Sequence, residues 1–599
     1  MNKKLVLSSI ALSLLLAGCS DSDSETAVVT PEPEPPTEPT PEPMPTTQAM
    51  FSKGQEVLTD NKALLESLQT PALAAFASSE ITAPAKNIIL FVGDGMGGST
   101  VTASRIRDGE LRNVDGEENF LAFEKPYTSG EKDNFPFVAF SKTYTTDFQV
   151  PDSAGTMTAM MTGVKTRSGV LNTEETVVRG DCAAAANNAL VPALALAEIA
   201  GKSTGVVSTA RITHATPAAT YAVSPDRNFE NELDGDKNPL PAGCGDIAYQ
   251  LLNFGGVLDP SKVIGPIRDF DARIDGLEVM LGGGKRHFVT VNGQREDDRN
   301  LIAEWQQKAE DDNKNWQFVE NQQELAPVYG AGVDKLLGLF SSSHMAYEAD
   351  RSGTGQPSLA EMTDKALDVL STNEKGFFLM VESGRIDHAH HSGNAYRALS
   401  ETIAFSDAIK TALDKLEAAG ELDDTLILVT ADHGHTLTIA GYPKRGNPIL
   451  GKSVKVGTES ELNVDVNDKP YTTLGYINGG GFGFESDEDV SLDTLDRRSG
   501  FRSIGRKDIS SFDTTAKNFF QEALVKTGKP GEYTSETHTG EDVAIYARGP
   551  MAEKLQGTLE QNVIFHVMNE AGKLQEKAQA VWDEHQEEME ATLEPEKKI

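Results

Sequence analysis

Eleven histidines occur among the 599 residues of this chain, and five of them crowd two short stretches. VESGRIDHAHH contains His388, His390 and His391, and VTADHGH contains His433 and His435. Carboxylates accompany both: Glu382 and Asp387 in the first, Asp432 in the second. Asp387 and His391 are four residues apart, so on a helix they share one face and can aim at one cation. One turn cannot aim three imidazoles at a single point, and His388 or His390 therefore reads as a neighbour that orients a ligand. Asp94 in GDGMGG and His538 in ETHTGEDV extend the inventory. Mixed carboxylate and imidazole donors suit zinc, whereas an oxygen set that adds Thr216 suits magnesium. With Asp94 bridging, the donors suffice for two Zn2+ ions and one Mg2+ ion.

Ser153 offers a different chemistry. In VPDSAGTMTAMMTG, residues Met157, Met160, Met161 and Val164 recur at helical spacing and predict an apolar stripe that begins just after Asp152 and Ser153. A helix start prefers such side chains, because their oxygens satisfy orphan backbone N–H groups. The same place is suited to binding an anion. On these residues alone the helix-cap reading is favoured over a nucleophile at Ser153.

The elements that must position these groups are short apolar runs ending in polar residues. NIILFV leads to Asp94, GVVSTA to His214 and Thr216, FFLMV to Glu382, and TLILV to Asp432 and His433. Continuous apolarity predicts parallel strands buried on both faces, with ALVPALALAEIAG and RALSETIAFSDAIKTALDKLE as intervening helices. Open parallel sheets bind ligands beyond the carboxyl ends of their strands, which is where the candidate donors fall.

Acidic residues number 91 against 54 basic ones, a net charge of −37. That field disfavours nucleic acid and anionic membranes, and an anionic ligand would need a bound metal or a particular arginine. The start MNKKLVLSSIALSLLLAGCS carries Lys3 and Lys4, then an apolar run too short to span a bilayer. Leu16-Ala17-Gly18-Cys19 resembles a bacterial lipobox in which Cys19 becomes the lipidated first residue, and Ser20 resembles sorting to the outer membrane. A plain secretory signal is the competing reading. The expected organisation is a signal peptide over 1–18, then lipidated Cys19 and a Pro/Glu-rich spacer to residue 48. A folded domain over 49–570 follows, and a charged, helix-prone tail over 571–599. Cys182 and Cys244, an even pair without a CxxC pattern in an exported chain, read as a disulfide rather than a metal site.

Taken in order, GDGMG, PDSAGTMTAMMTG, ARITHATPAA, MLGGGKR, VESGRIDHAHH, VTADHGH and THTGEDVAIYARGP resemble the alkaline phosphatase family from about residue 85 to 570. The HATP and RIDHAHH forms are most similar to the animal-type enzymes. The resemblance implies an α/β fold with a large, mostly parallel central sheet, helices on both faces, and a crown-like insertion over about 440–530. It implies one zinc ion on Asp387, His391 and His538 and a second on Asp94, Asp432 and His433 facing Ser153. Magnesium would take Asp94, Thr216 and Glu382. His214, His388 and Asp152 would stand behind these ligands. Arg227, in SPDRNFE, would clamp the substrate phosphate, and Cys182 and Cys244 fall where animal-type relatives have a disulfide. The implied activity is hydrolysis of small phosphomonoesters through a phosphoserine on Ser153, in a homodimer that touches membrane only through its lipid anchor. A phosphodiesterase of the same superfamily would share the metal ligands but not PDSAG with Arg227. A non-catalytic zinc- or phosphate-binding surface lipoprotein would not need nucleophile, clamp and ligands together.

Overall fold

The apolar runs that precede the candidate ligands form the middle of a ten-stranded sheet. The computed structural model describes residues 84–125, 133–233, 238–241, 243–254, 276–290, 293–465, 467–479, 508–526 and 535–581. The segments read as signal peptide and spacer, residues 480–507 of the expected insertion, and the tail beyond 581 lie outside the described residues. In chain order the first eight strands are β1 (Asn87–Gly93), β2 (Phe137–Lys142), β3 (Ser203–Arg211), β4 (Val279–Gly283), β5 (Trp316–Val319), β6 (Lys335–Leu339), β7 (Phe377–Ser383) and β8 (Thr425–Ala431). They are followed by β9 (Gly434–His435), β10 (Leu437–Ile439), β11 (Leu474–Gly479), β12 (Ala523–Lys526), β13 (His538–Thr539), β14 (Val543–Arg548) and β15 (Gly557–Glu560).

The large sheet has the order β15-β2-β14-β8-β1-β7-β3-β4-β6-β5. β14 runs antiparallel to both of its neighbours, β8 and β2. Every other pairing in the sheet is parallel. The four strands whose ends carry candidate ligands, β8, β1, β7 and β3, are adjacent at its centre. Register brings their ends level, with Val92 opposite both Glu382 and Thr430, and Ser208 opposite Glu382.

Every residue of β1, β7 and β8 is buried. Because successive side chains point to opposite faces, each strand feeds two cores. Ile88, Leu90 and Val92 join one core with Met157, Met160 and Met161 of the helix Ser153–Thr162 and with Ile564 and Met568 of the helix Val563–Gly572. Ile89 and Phe91 face the other core, which is covered by the helices Leu359–Leu370 and Ala395–Ala419 through Met362, Leu367, Phe405 and Ile409. This is the expected α/β architecture with helices on both faces.

Two features differ from the sequence reading. The helix Ser153–Thr162 has no exposed face, and all ten of its residues are buried rather than a single methionine stripe. Its threonines meet this burial with hydrogen bonds, Thr162 Oγ1 donating to the Thr158 carbonyl at 2.8 Å and Thr156 Oγ1 to Asp432 at 3.3 Å. At the other end of the chain, residues 574–581 are helical, and Leu574 and Ala578 are buried in the first core, so packing continues past residue 570. Between His435 and His538, β10, just before the stretch read as the crown-like insertion, joins β11 and β12 within it in a separate three-stranded sheet. Among the described residues, no helix is long and apolar enough to cross a membrane.

Met160 is fully buried where the Ser153 helix meets the sheet. Met160→Ala should destabilise the fold by about 2–4 kcal/mol through lost contacts and a residual cavity, read as a lower denaturant midpoint.

Candidate active site

The helix Ser153–Thr162 begins at Asp152, whose carboxylate makes three ties. Oδ1 accepts from the N–H groups of Gly155 at 3.2 Å and Gly169 at 3.1 Å, and Oδ2 accepts from Arg227 Nη1 at 2.9 Å. Asp152 is thus the cap, leaving Ser153 as the first residue of the helix, where its Oγ faces the ends of β1 and β8. That oxygen lies 3.2 Å from His433 Nε2 and 3.4 Å from Asp94 Oδ1. Arg227 is not taken up by the acids beside it in sequence. Asp226 accepts both ends of Arg179, and Glu230 accepts from Arg211. Burial opposes the Asp152–Arg227 charges, but their mutual attraction outweighs it, holding Asp152 below the usual carboxylate range and Arg227 above its own.

Three groups of potential cation donors surround this serine, and within each the donor atoms lie within 4.8 Å of one another. They are Asp387, His391, His435 and His538; Asp94, Asp432 and His433; and Asp94, His214 and Glu382. Asp94 belongs to two of them, the shared position expected of a bridge, and Thr216 Oγ1 donates to its Oδ2 at 3.4 Å. Asp432 is held by the N–H groups of Gly95 and His433, both at 3.0 Å, and by Thr156 Oγ1 at 3.3 Å. Gly95 takes φ +70°, and a Cβ there would come within 2.4 Å of the His435 ring. Gly95 therefore serves a close approach between the end of β1 and His435.

Electrostatics leave the Asp94, Glu382 and Asp432 side of this region short of positive charge, whereas at Asp387 burial is outweighed by His391, His435 and His538, which hold it well below the carboxylate range. Burial, then Asp432, Asp387 and Glu382, pushes Asp94 well above the ordinary carboxylate range. Burial likewise raises Asp432 and carries Glu382 to about 8. Burial pushes His433 well below the usual imidazole range, so it is a neutral donor. Glu382 Oε1, His433 Nδ1 and His214 Nδ1 are buried without a hydrogen-bond partner. Neutral imidazoles, crowded carboxylates and orphaned donor atoms are what a divalent cation would satisfy. The residues fit the group.

Of the sequence candidates, Asp94, Glu382, Asp387, His391, Asp432, His433, His538 and His214 fall within the three groups, with Ser153, Thr216, Asp152 and Arg227 in direct contact with members or with each other. His388 stands apart, its ring 5.3 Å from His214 and 4.0 Å from His344. Cys182 and Cys244 form a disulfide across a 62-residue separation. Phe229, two residues from Arg227, packs in the small core beside Cys182, so the bridge braces the arginine loop. In the loop-entropy account it stabilises by about 4 kcal/mol. His435, Ser208 and Glu536 escape the sequence reading. His435 sits conspicuously in DHGH, but nothing in spacing assigns it to the Asp387 group. Ser208, which donates to Glu382, and Glu536, which accepts from His435 Nδ1 at 2.5 Å, leave no local signal.

The arrangement sets three groups of candidate cation donors beside a serine at a helix start and an arginine, at the strand ends of an α/β sheet. The sequence profile described as alkaline phosphatase matches residues 85–574. The tissue-nonspecific alkaline phosphatase isozymes of Felis catus and Homo sapiens are 40% and 39% identical to this chain, each over 81% of it and 83% of the relative. The alkaline phosphatase of Gadus morhua is 38% identical over 81% of this chain and 91% of its own. Among solved structures, the Thermus thermophilus alkaline phosphatase aligns with a TM-score of 0.54 at 25% identity, covering 84% of this chain and 96% of that one. The enzyme from the Antarctic bacterium TAB5 shares the fold at TM-score 0.51 and 21% identity, over 82% and 99% of the two chains. The chain belongs to the alkaline phosphatase family, and it is a phosphoric monoester hydrolase.

The raised carboxylates have a consequence for metal-free protein. Glu382 keeps a proton when folded up to about pH 8, whereas unfolded it loses that proton near its ordinary value, so folding takes up protons in between. His435, raised to about 10 by Glu536 and Asp387 against the opposing effect of burial, acts in the same direction. Stability falls with rising pH wherever the folded state binds more protons. Chelator-treated protein should lose on the order of 2 kcal/mol between pH 6.5 and 8, as read by denaturant midpoints, and zinc with magnesium should abolish that slope.

Proposed function

We propose that this enzyme cleaves phosphate monoesters through a phosphoserine on Ser153, with the phosphoryl group gripped by Arg227. The observation that carries the reading is Ser153 Oγ at a buried helix start, 3.2 Å from His433 Nε2 and 3.4 Å from Asp94, with Arg227 held by the adjacent Asp152. The planar guanidinium can donate two parallel bonds to phosphoryl oxygens, which an ammonium cannot. The helix start adds backbone N–H groups and a favourable dipole for the same dianion. As the Oγ–P bond forms, the P–O bond to the alcohol breaks, and the alcohol leaves with the proton the serine gives up. Water then attacks the phosphoserine, returns a proton to Oγ and releases inorganic phosphate.

Two Zn2+ ions would be held by Asp387, His391 and His538 and by Asp94, Asp432 and His433, and one Mg2+ ion by Asp94, Thr216 and Glu382. Bound there, they would neutralise the buried carboxylates, polarise the phosphoryl oxygens and ease deprotonation of the attacking hydroxyl. His214, which contacts Arg227 Nη2 at 3.2 Å, would keep the clamp beside the magnesium ligands. The expected cellular setting is a lipid-anchored, exported protein of the bacterial envelope. The lipobox-like Leu16-Ala17-Gly18-Cys19 supports that reading, as does the disulfide, which suits an oxidising compartment. Homodimer formation rests on the family resemblance alone.

Acid quench during turnover of a simple aryl phosphate, followed by intact mass measurement, should show one added phosphoryl group that maps to Ser153. Ser153→Ala should lack the adduct and retain metal while losing at least about 10^3 in turnover. Hydrolysis at the parent rate by that variant would sink the covalent route. Arg227→Ala should weaken inhibition by inorganic phosphate about 10- to 100-fold, the value of a charge-assisted pair. Unchanged phosphate affinity would reassign the clamp.

A further inference from the structure

The Asp387 group depends on contacts that lie outside it. Asp387 Oδ1 is its hub, 2.8 Å from His435 Nε2, 3.2 Å from His538 Nε2 and 3.3 Å from His391 Nε2. His538 and His435 face each other because β13 pairs with β9, a ladder of only two residues on each side. Two-stranded pairing of that length has little stability of its own. His391 and His538 have second ring nitrogens that must be aimed by something else, and for His538 this is the Pro151 carbonyl at 2.7 Å.

Ser535 Oγ contacts His391 Nδ1 at 3.1 Å, and the other bonds converge on Glu536, a buried residue two positions before His538. Its carboxylate accepts from His435 Nδ1 at 2.5 Å and from both the N–H and the hydroxyl of Thr436 at 2.6 Å. Its carbonyl accepts from His391 Nδ1 at 2.6 Å, and its N–H donates to the His391 carbonyl at 3.0 Å. One residue therefore fixes the rings on either side of the Asp387 hub. With His435 Nδ1 occupied by Glu536, its Nε2–H is free to donate to Asp387 Oδ1. That bond holds the carboxylate towards His391 and His538.

We infer that Glu536 is the positioning residue of the Asp387–His391–His538 zinc group, acting through His435 with its side chain and through His391 with its backbone. The inference rests on the zinc reading of that group given above. It assigns no contact with substrate to Glu536. Partners standing behind metal ligands typically set metal affinity by 10- to 100-fold. The backbone bonds to His391 survive substitution, so the side chain controls only the His435 share, and an effect near the lower end of that range is expected.

The test is competition between the purified protein and a chromophoric chelator for Zn2+ alone, with unfolding midpoints recorded beside it. Glu536→Gln and Glu536→Ala should each weaken one of the two zinc ions about tenfold or more and leave the other at parental affinity. Glu536→Gln preserves volume and one acceptor for Thr436, so it keeps the question open to refutation even if the alanine variant does not fold. Phosphate inhibition should be unchanged while kcat falls, because Arg227 and the Asp94 group are untouched. Parental affinity at both zinc sites in Glu536→Gln would overturn the inference, and so would equal weakening of both together with a lower midpoint, the mark of a general loss of fold. Failure of the unsubstituted protein to bind two zinc ions would instead overturn the zinc reading, and this inference with it.

Discussion

Four carboxylates, those of Asp94, Glu382, Asp387 and Asp432, are nearly or wholly removed from water at or beyond the central strand ends of one sheet. Burying like charges side by side is among the most costly arrangements a chain can adopt, and nothing in a hydrophobic core offsets it. The surrounding structure is legible as an answer to this constraint. Neutral histidines, orphaned donor atoms and a threonine on Asp94 leave room for cations where protons would otherwise be taken up. Arg227, a permanent positive charge that acts on Asp94, is not spent on the group but tied to Asp152 outside it. The acids and the arginine are thereby kept apart, and an anion that reaches both would complete the balance of charge.

Rigid positioning of so many polar groups needs rigid supports. β8, β1, β7 and β3 are buried on both faces and locked by parallel register, so their last residues have little freedom. The Ser153 helix is equally constrained, enclosed on every side and capped at its first turn. Its serine does not depend on a mobile loop for its aim, in keeping with chemistry that rewards a preset geometry.

Much of this is readable from the residues alone. Strand ends are legible because an apolar run of five or six residues stopped by Asp, Glu or His fits a buried parallel strand that delivers a polar group at its tip. The ligand pair Asp387–His391 is legible because helical spacing is periodic. What sequence does not reveal is pairing at a distance. The reversed direction of β14 depends on which strands it meets, not on its own composition. His435 gains its place from the two-residue ladder with β13, and Glu536 from bonds to residues 101 and 145 positions away. The helix that reads as a methionine stripe is buried all round because Thr158 lies against the loop of Val170 and Asn172 and Thr156 against Asp432, which local periodicity does not record.

The antiparallel course of β14 also decides when the site can exist. Parallel strands deliver side chains from their trailing ends, whereas β14 delivers His538 from the stretch that leads into it. His538 nevertheless meets the Pro151 carbonyl, 387 residues earlier in the chain. A chain emerging in order from its amino terminus presents Asp94 and Ser153 long before the residue that closes the Asp387 group. On the zinc reading proposed above, the Asp387 group would therefore take its ion only after nearly all of the polypeptide has been made, and that ion would be one available in the compartment where folding finishes.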